Sequence, residues 1–163
     1  MTAEAAQPVR PGRTKKGGRL PKSQVERGPS GRPLCRWCRM ETPSGRRTFC
    51  SDACVHEWRL RTDPGYLRER VLLRDAGICA KCGADTVTLR RDMRRLDFAA
   101  RRKLLKEWGL TERSRKSLWD ADHIVPVAEG GGQCDLANMR TLCLKCHREA
   151  TAALRARLRA KPA

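Results

Sequence analysis

One stretch of the 163-residue chain concentrates side chains able to do chemistry: LWDADHIVPVAEGGGQCDLANMRTLCLKCHREAT, residues 118–151. Asp122 and His123 stand together on a β-like run, and a Gly130-Gly131-Gly132 turn follows. Asn138 lies on the return, and Cys143-x-x-Cys146-His147 opens a basic helix expected to reach about Arg159. Folded as two strands and a helix, this order brings Asp122 and His123 beside His147. A carboxylate with imidazoles can hold a cation and move a proton near neutral pH. Charge agrees with that reading. Residues 119–147 carry two Lys or Arg against four Asp or Glu, the one acidic segment in a chain of net charge +18, and they contain two of its three histidines.

Cysteine supplies a second chemistry. Three of the pairs among the nine cysteines stand as CxxC, and the Pro-, Gly- and Arg-rich first residues contain no apolar signal-peptide core, so metal is expected rather than disulfide. Four thiolates per ion make two structural zinc sites, Cys35, Cys38, Cys50 and Cys54, then Cys79, Cys82, Cys143 and Cys146. Cys134 is left over as a small packed thiol. His56 is read as a helix-surface residue, because four cysteines already close a tetrahedral site. With only 4% aromatic residues the core is thin, and metal is the usual remedy.

A few elements must position these groups. Ser51 is a suitable N-cap for a helix over about 52–61 that carries Cys54 in its first turn, where the helix terminus favours thiolate. With the Cys35–Cys38 knuckle and a hairpin turning at Pro43-Ser44-Gly45, it describes a treble-clef module over 34–62. Asp63 as cap, Pro64 at the first helical position and Gly77 past the end predict a helix over 64–76, with Leu67, Val71 and Leu72 buried. Residues 92–108 place Met93, Leu96, Ala100, Leu104 and Trp108 at helical spacing, which predicts one amphipathic helix ended by Gly109. Arg91, Arg94, Arg95, Arg101 and Arg102 occupy its other side as candidate nucleic-acid contacts.

Nucleic acid is the partner the charge favours, with a pI near 10.5. Acidic membrane surfaces are the rival, but no stretch approaches the roughly 20 apolar residues of a membrane span. A cytoplasmic location is therefore expected, nucleoid-associated if the source is prokaryotic. Residues 1–33 hold eight Lys or Arg, two acids and five of the nine prolines without apolar periodicity. They are expected to form a disordered basic arm that can track phosphates by counterion release.

Asp122-His123-Ile124, Pro126, Gly131, Asn138 and Cys143-x-x-Cys146-His147 resemble the HNH endonuclease motif of the ββα-metal fold. More narrowly, FCSDAC, the helix with GYLR, GICAKC and WDADHIVPVAEGGGQC are similar to the C-terminal nuclease domains of vertebrate annealing helicases that carry a Ran-binding-type zinc finger. The likeness covers roughly 34–151, weakest across 84–116, and includes no helicase or P-loop sequence. It implies an α+β chain in which the treble-clef module precedes an HNH nuclease domain over 63–163, with a helical insertion between the two halves of the second cysteine set.

The resemblance further implies metal-dependent hydrolysis of DNA, duplex or branched. Such hydrolysis needs a deprotonated water in line with the scissile bond and a cation to stabilise charge on the phosphoryl and leaving oxygens. His123 would be the general base, and Asp122 and His147 would hold one divalent ion, Mg²⁺ or in its place Mn²⁺. Asn138 would fix the loop bearing His123 by hydrogen-bonding its backbone, and Arg148 would meet a phosphate. A zinc-dependent DNA-binding module without catalysis and a ribonuclease are the competing functions. A binding module has no need of base, ligands and orienting amide together, and no paired-aromatic RNA-recognition pattern is visible. Haem attachment through Cys143-x-x-Cys146-His147 fails, since it requires an oxidising compartment and an axial partner, whereas one nuclease site explains both CxxC pairs and the Asp-His-Asn spacing.

Overall fold

The chain divides into two units, Met1–Arg59 and Leu60–Ala163, and the computed structural model describes residues 24–110, 117–132 and 135–160. The expected arm lies outside the described residues as far as residue 23, and so does Cys134. Residues 24–33 differ from an arm, because Pro29 and Gly31 close a β-turn in which Gly31 N donates to the Gly28 carbonyl at 2.9 Å. Arg27 bridges to Pro33, the Glu41 carboxylate accepts from Ser30 N at 2.8 Å, and Glu26 pairs with Arg39. Arg39 and Glu41, distant in sequence, thus hold a turn that composition alone assigned to a tail.

The first unit carries the zinc-module residues. Leu34 bridges to Glu41 around the knuckle, where Cys35 N donates to the Met40 carbonyl at 2.8 Å. Where a hairpin was expected, residues 42–50 make an irregular return fastened by Arg36 N to the Thr48 carbonyl at 2.9 Å. Ser51 caps the helix α1 (Asp52–Thr62) by accepting from Cys54 N at 3.2 Å. Phe49 packs on Trp58, whose ring also lies 4.3 Å under the Arg36 guanidinium carbon.

In the second unit, α2 (Pro64–Asp75) starts where Asp63 accepts from Tyr66 N at 3.1 Å and stops at Ala76 and Gly77, both left-handed. The single helix expected over 92–108 is instead two, α3 (Thr86–Met93) and α4 (Phe98–Glu107). Asp97 adopts extended backbone and accepts from Ala100 N at 2.9 Å, so a cap outcompetes the apolar periodicity at the break. Leu96, expected in the stripe, is exposed. Asp85 caps α3 in the same way, accepting from Val87 N and Thr88 N.

β1 (Trp119–His123) pairs antiparallel with β2 (Met139–Cys143), with Asp122 opposite Arg140 and His123 opposite Met139. α5 (Leu144–Ala160) follows directly, which completes a ββα unit. Alternation turns Asp120 and Asp122 to one face of the ribbon and Trp119 and Ala121 to the other. The latter face packs with Leu60, Leu67, Val71 and Met139. A second core joins Met93, Leu105, Trp108, Leu118, Leu142 and Leu144 to Cys79, Cys143 and Cys146. Each fully buried aliphatic there contributes about 1.5–3 kcal/mol. Among the described residues, no helix is long and apolar enough to cross a membrane.

Candidate active site

Each expected cysteine quartet comes together. In both, the four sulfurs lie within 4.8 Å of one another, and these are the two such groups of ligand-type side chains among the described residues. Separations of 3.4 Å for Cys38–Cys50, 3.3 Å for Cys50–Cys54 and 3.7 Å for Cys82–Cys143 are close to the roughly 3.8 Å edge of a tetrahedron of thiolates around zinc. Burial opposes ionisation of Cys79, yet backbone N–H groups of Cys143, Cys82 and Lys81 outweigh it and bring the thiol down to about 6. The same contest brings Cys35 to about 7, through N–H groups of Cys38, Cys50 and Trp37. Each quartet therefore contains one thiol already inclined to ionise, as a metal ligand must be. Ala80 N donates to the Thr141 carbonyl at 2.8 Å, which ties the second knuckle to β2 across the helical insertion.

Beside β1 and α5 runs an open groove of about 760 Å³. Asp122, His123 and His147 all line it, and Asp122 Oδ1 lies 3.7 Å from His147 Nε2. A cation bound by both atoms at roughly 2.1 Å can span that gap, with its remaining positions open. Arg140, cross-strand from Asp122, donates from Nε and Nη2 to the other carboxylate oxygen at 3.1 and 3.0 Å. That pairing leaves Oδ1 to face His147. Behind the histidine, Asp120 Oδ2 sits 3.8 Å from Nδ1, and Arg68 holds Asp120 with a 2.7 Å hydrogen bond. A negative charge on that side favours the proton on Nδ1, which directs the Nε2 lone pair into the groove. His123 has a buried Nε2 with no hydrogen-bond partner.

Asn138 clasps the segment that follows His123. Its Oδ1 accepts from Val125 N at 2.8 Å, its Nδ2 donates to the Val125 carbonyl at 2.9 Å, and its own carbonyl accepts from Ile124 N at 2.8 Å. Gly131 closes over this clasp with no room for a side chain. A Cβ there would overlap the Val125 carbonyl oxygen, 2.7 Å from its carbon and 3.0 Å from Asn138 Nδ2.

Of the arginines expected to touch nucleic acid, Arg91, Arg94, Arg95 and Arg102 are exposed and Arg101 is half-buried, and none lines the groove. Arg148 is also absent from its lining. Its Nη2 donates to the Gly109 carbonyl at 3.0 Å and joins α5 to the end of α4. Asp120, Arg68 and Arg140 were missed in the sequence. The Asp-Ala-Asp alternation around Asp122 was the available signal for Asp120, whereas Arg68 and Arg140 reach the site through packing and strand register.

A ββα unit with this Asp-His-Asn-His arrangement defines a class of metal-dependent nuclease, and residues 109–153 match the HNH endonuclease family. That match takes in both strands of the ββα unit and most of α5, from Gly109 to Ala153. The chain is 38% identical over 143 residues to the DNA annealing helicase and endonuclease ZRANB3 of Mus musculus and 34% to that of Homo sapiens. Each alignment takes in 75% of this chain and 13% of the relative, so the chain spans about an eighth of those proteins. The crystal structure of the human ZRANB3 HNH domain is 32% identical, covering 61% of this chain and 98% of that one at a TM-score of 0.45.

Proposed function

We propose that the chain is an endonuclease that hydrolyses DNA phosphodiester bonds with His123 as general base and one divalent ion held by Asp122 and His147. The observation that carries this reading is the convergence of Asp122 Oδ1 and His147 Nε2, 3.7 Å apart, in a groove also lined by His123 with its unpartnered Nε2. When bound, the ion supplies Lewis-acid stabilisation of the charge that develops on the phosphate. His123 takes the proton from the attacking water. Asn138 fixes the loop that carries His123, and so sets the direction of the imidazole. Arg140 holds the Asp122 carboxylate in its ligating pose, while Asp120 orients His147. Mg²⁺ suits the carboxylate and the positions left to water, and Mn²⁺ can take its place there.

The two quartets bind structural zinc in this reading, and reduced thiols accord with a cytoplasmic or nucleoid location. The basic residues of 1–23 and the α3–α4 arginines, Arg94, Arg95, Arg101 and Arg102, supply sequence-independent grip on duplex or branched DNA, to which Arg148 adds little because it is engaged with Gly109. Both relatives are named for endonuclease and DNA-annealing activity, which favours DNA over RNA as substrate. The test is cleavage of labelled duplex, forked, single-stranded and RNA substrates with Mg²⁺, Mn²⁺ or EDTA. Metal-dependent cutting of DNA is expected. Cutting of RNA alone, or unchanged cutting in EDTA, would contradict the reading.

A further inference from the structure

The second unit has another concave site, away from the groove. It is a pocket of about 260 Å³ between α3 and the start of β1, and Arg90, Arg91 and Arg94 all line it beside Ser117. Among the described residues, its lining includes no carboxylate. That sets it apart from the groove, where the cations are neutralised: Lys81 by Glu149, Arg140 by Asp122 and Arg157 by Glu129. In the pocket, Arg90 Nε is buried without a hydrogen-bond partner. Arg91 has only Asp92 at 3.6 Å, and no ion pair of Arg90 or Arg94 occurs among the described residues.

Arginines in the last turn of α3 are favoured by its C-terminal partial charge, but that effect does not require three of them to converge on one hollow. Cations so arranged leave donors unsatisfied and repel one another until an anion enters. Planar guanidinium forks match phosphate oxygens, and the volume holds a phosphate group with several waters of about 30 Å³ each. Trp119 in the pocket and His123 in the groove are the two ends of β1, four residues or about 13 Å apart. That distance equals the axial rise of about four nucleotides of one strand.

We infer that the α3 arginine pocket is a phosphate-binding site that takes a backbone phosphate of the DNA several nucleotides from the cut. The choice of DNA as the source of that phosphate rests on the proposed nuclease reading. The pocket then acts as a ruler that sets the substrate's register on the groove, a task for which Arg90 was not suspected from sequence.

The test uses the full chain in EDTA with a labelled 20-base-pair duplex across a salt series. The variants are Arg90→Gln with Arg94→Gln and, because Arg94 is exposed and its replacement leaves the packed Arg90 stem in place, Arg94→Glu alone. Loss of two phosphate contacts lowers the slope of log affinity against log salt by about 1.8, and affinity near 0.1 M salt falls by about tenfold or more. In parallel, inorganic phosphate at constant ionic strength is titrated while the Arg90 Nε–H resonance is followed. A saturable shift is expected in the wild type, reproduced by duplex and lost in Arg94→Glu. Unchanged slope and affinity in both variants, while the wild type still cleaves with Mg²⁺, overturns the pocket and leaves the nuclease reading standing. A shift with phosphate that duplex does not reproduce overturns DNA as the occupant. Both responses in a chain that never cleaves uphold the pocket and sink the nuclease reading instead.

Discussion

Gly131→Ala should silence the enzyme while leaving it folded. The added methyl meets backbone, overlapping the Val125 carbonyl oxygen, so no side-chain rotation relieves it. Restoring an ordinary C···O separation of about 3.4 Å requires the 125–131 segment to open by about 1–2 Å. That opening breaks the two Asn138 side-chain bonds to Val125 and strains the Gly131 N bond to the Pro126 carbonyl. At about 1 kcal/mol each, the local cost is roughly 2–3 kcal/mol. A displacement near 1 Å at a catalytic group costs on the order of 10²-fold in rate. Single-turnover cleavage should therefore fall by about that factor. The loop is exposed and outside both cores, so the protein should stay folded, with Tm lowered by about 4–12 °C. Amide exchange at Val125 should accelerate in the same variant, a readout that does not depend on activity. Gly132→Ala is the control, since a Cβ there meets nothing within 4 Å. Wild-type cleavage by Gly131→Ala, or equal damage from Gly132→Ala, would refute the clasp.

Reduced protein should carry two tightly bound zinc ions by elemental analysis, and fewer than two in folded material would contradict the eight-cysteine assignment. Cys143→Ser should collapse the second unit, because Cys143 is part of its core, whereas Cys35→Ser should loosen only the first unit. Asp120→Asn should raise the Mg²⁺ concentration for half-maximal cleavage by about 10-fold while leaving the rate at saturation nearly intact. Asp75 accepts from Arg74 and from Thr141 N, and these bonds hold its carboxyl below the usual range. Its contribution is present above the unfolded value near 3.8 and lost as pH falls through the lower folded value. Unfolding free energies of wild type and Asp75→Ala from urea titrations should thus differ by about 1–3 kcal/mol at pH 7, and the gap should close only as pH falls below about 3.8.

Legibility in the sequence followed the range of the interactions. α1, α2 and α5 were readable because Ser51, Asp63 with Pro64, Gly77 and the CxxCH run signal locally. The helical insertion was misread where two rules competed. Periodicity ran through Leu96, and the short Asp97 side chain bonding back to the chain won. Both cysteine quartets could be grouped from their spacing, since knuckles and helix starts recur in fixed order. The groove's supporting charges could not. Arg68 reaches Asp120 across 52 positions, and Arg140 meets Asp122 only through the β1–β2 register. The α3 pocket was hidden for a related reason, because nothing local gathers Arg90, Arg91 and Arg94 into one hollow until Ser117 and Trp119 are folded against them.

The central claim is that Asp122 and His147 hold the ion while His123 moves the proton, and cleavage rate against Mg²⁺ concentration for four proteins separates those roles. Asp122→Ala and His147→Ala should shift the curve to higher Mg²⁺ and recover in part at excess metal. His123→Ala should bind DNA normally yet remain on the order of 10²-fold or more below wild type at every Mg²⁺ concentration. Wild-type turnover by His123→Ala, or its rescue by metal while Asp122→Ala and His147→Ala stay dead, would contradict the assignment.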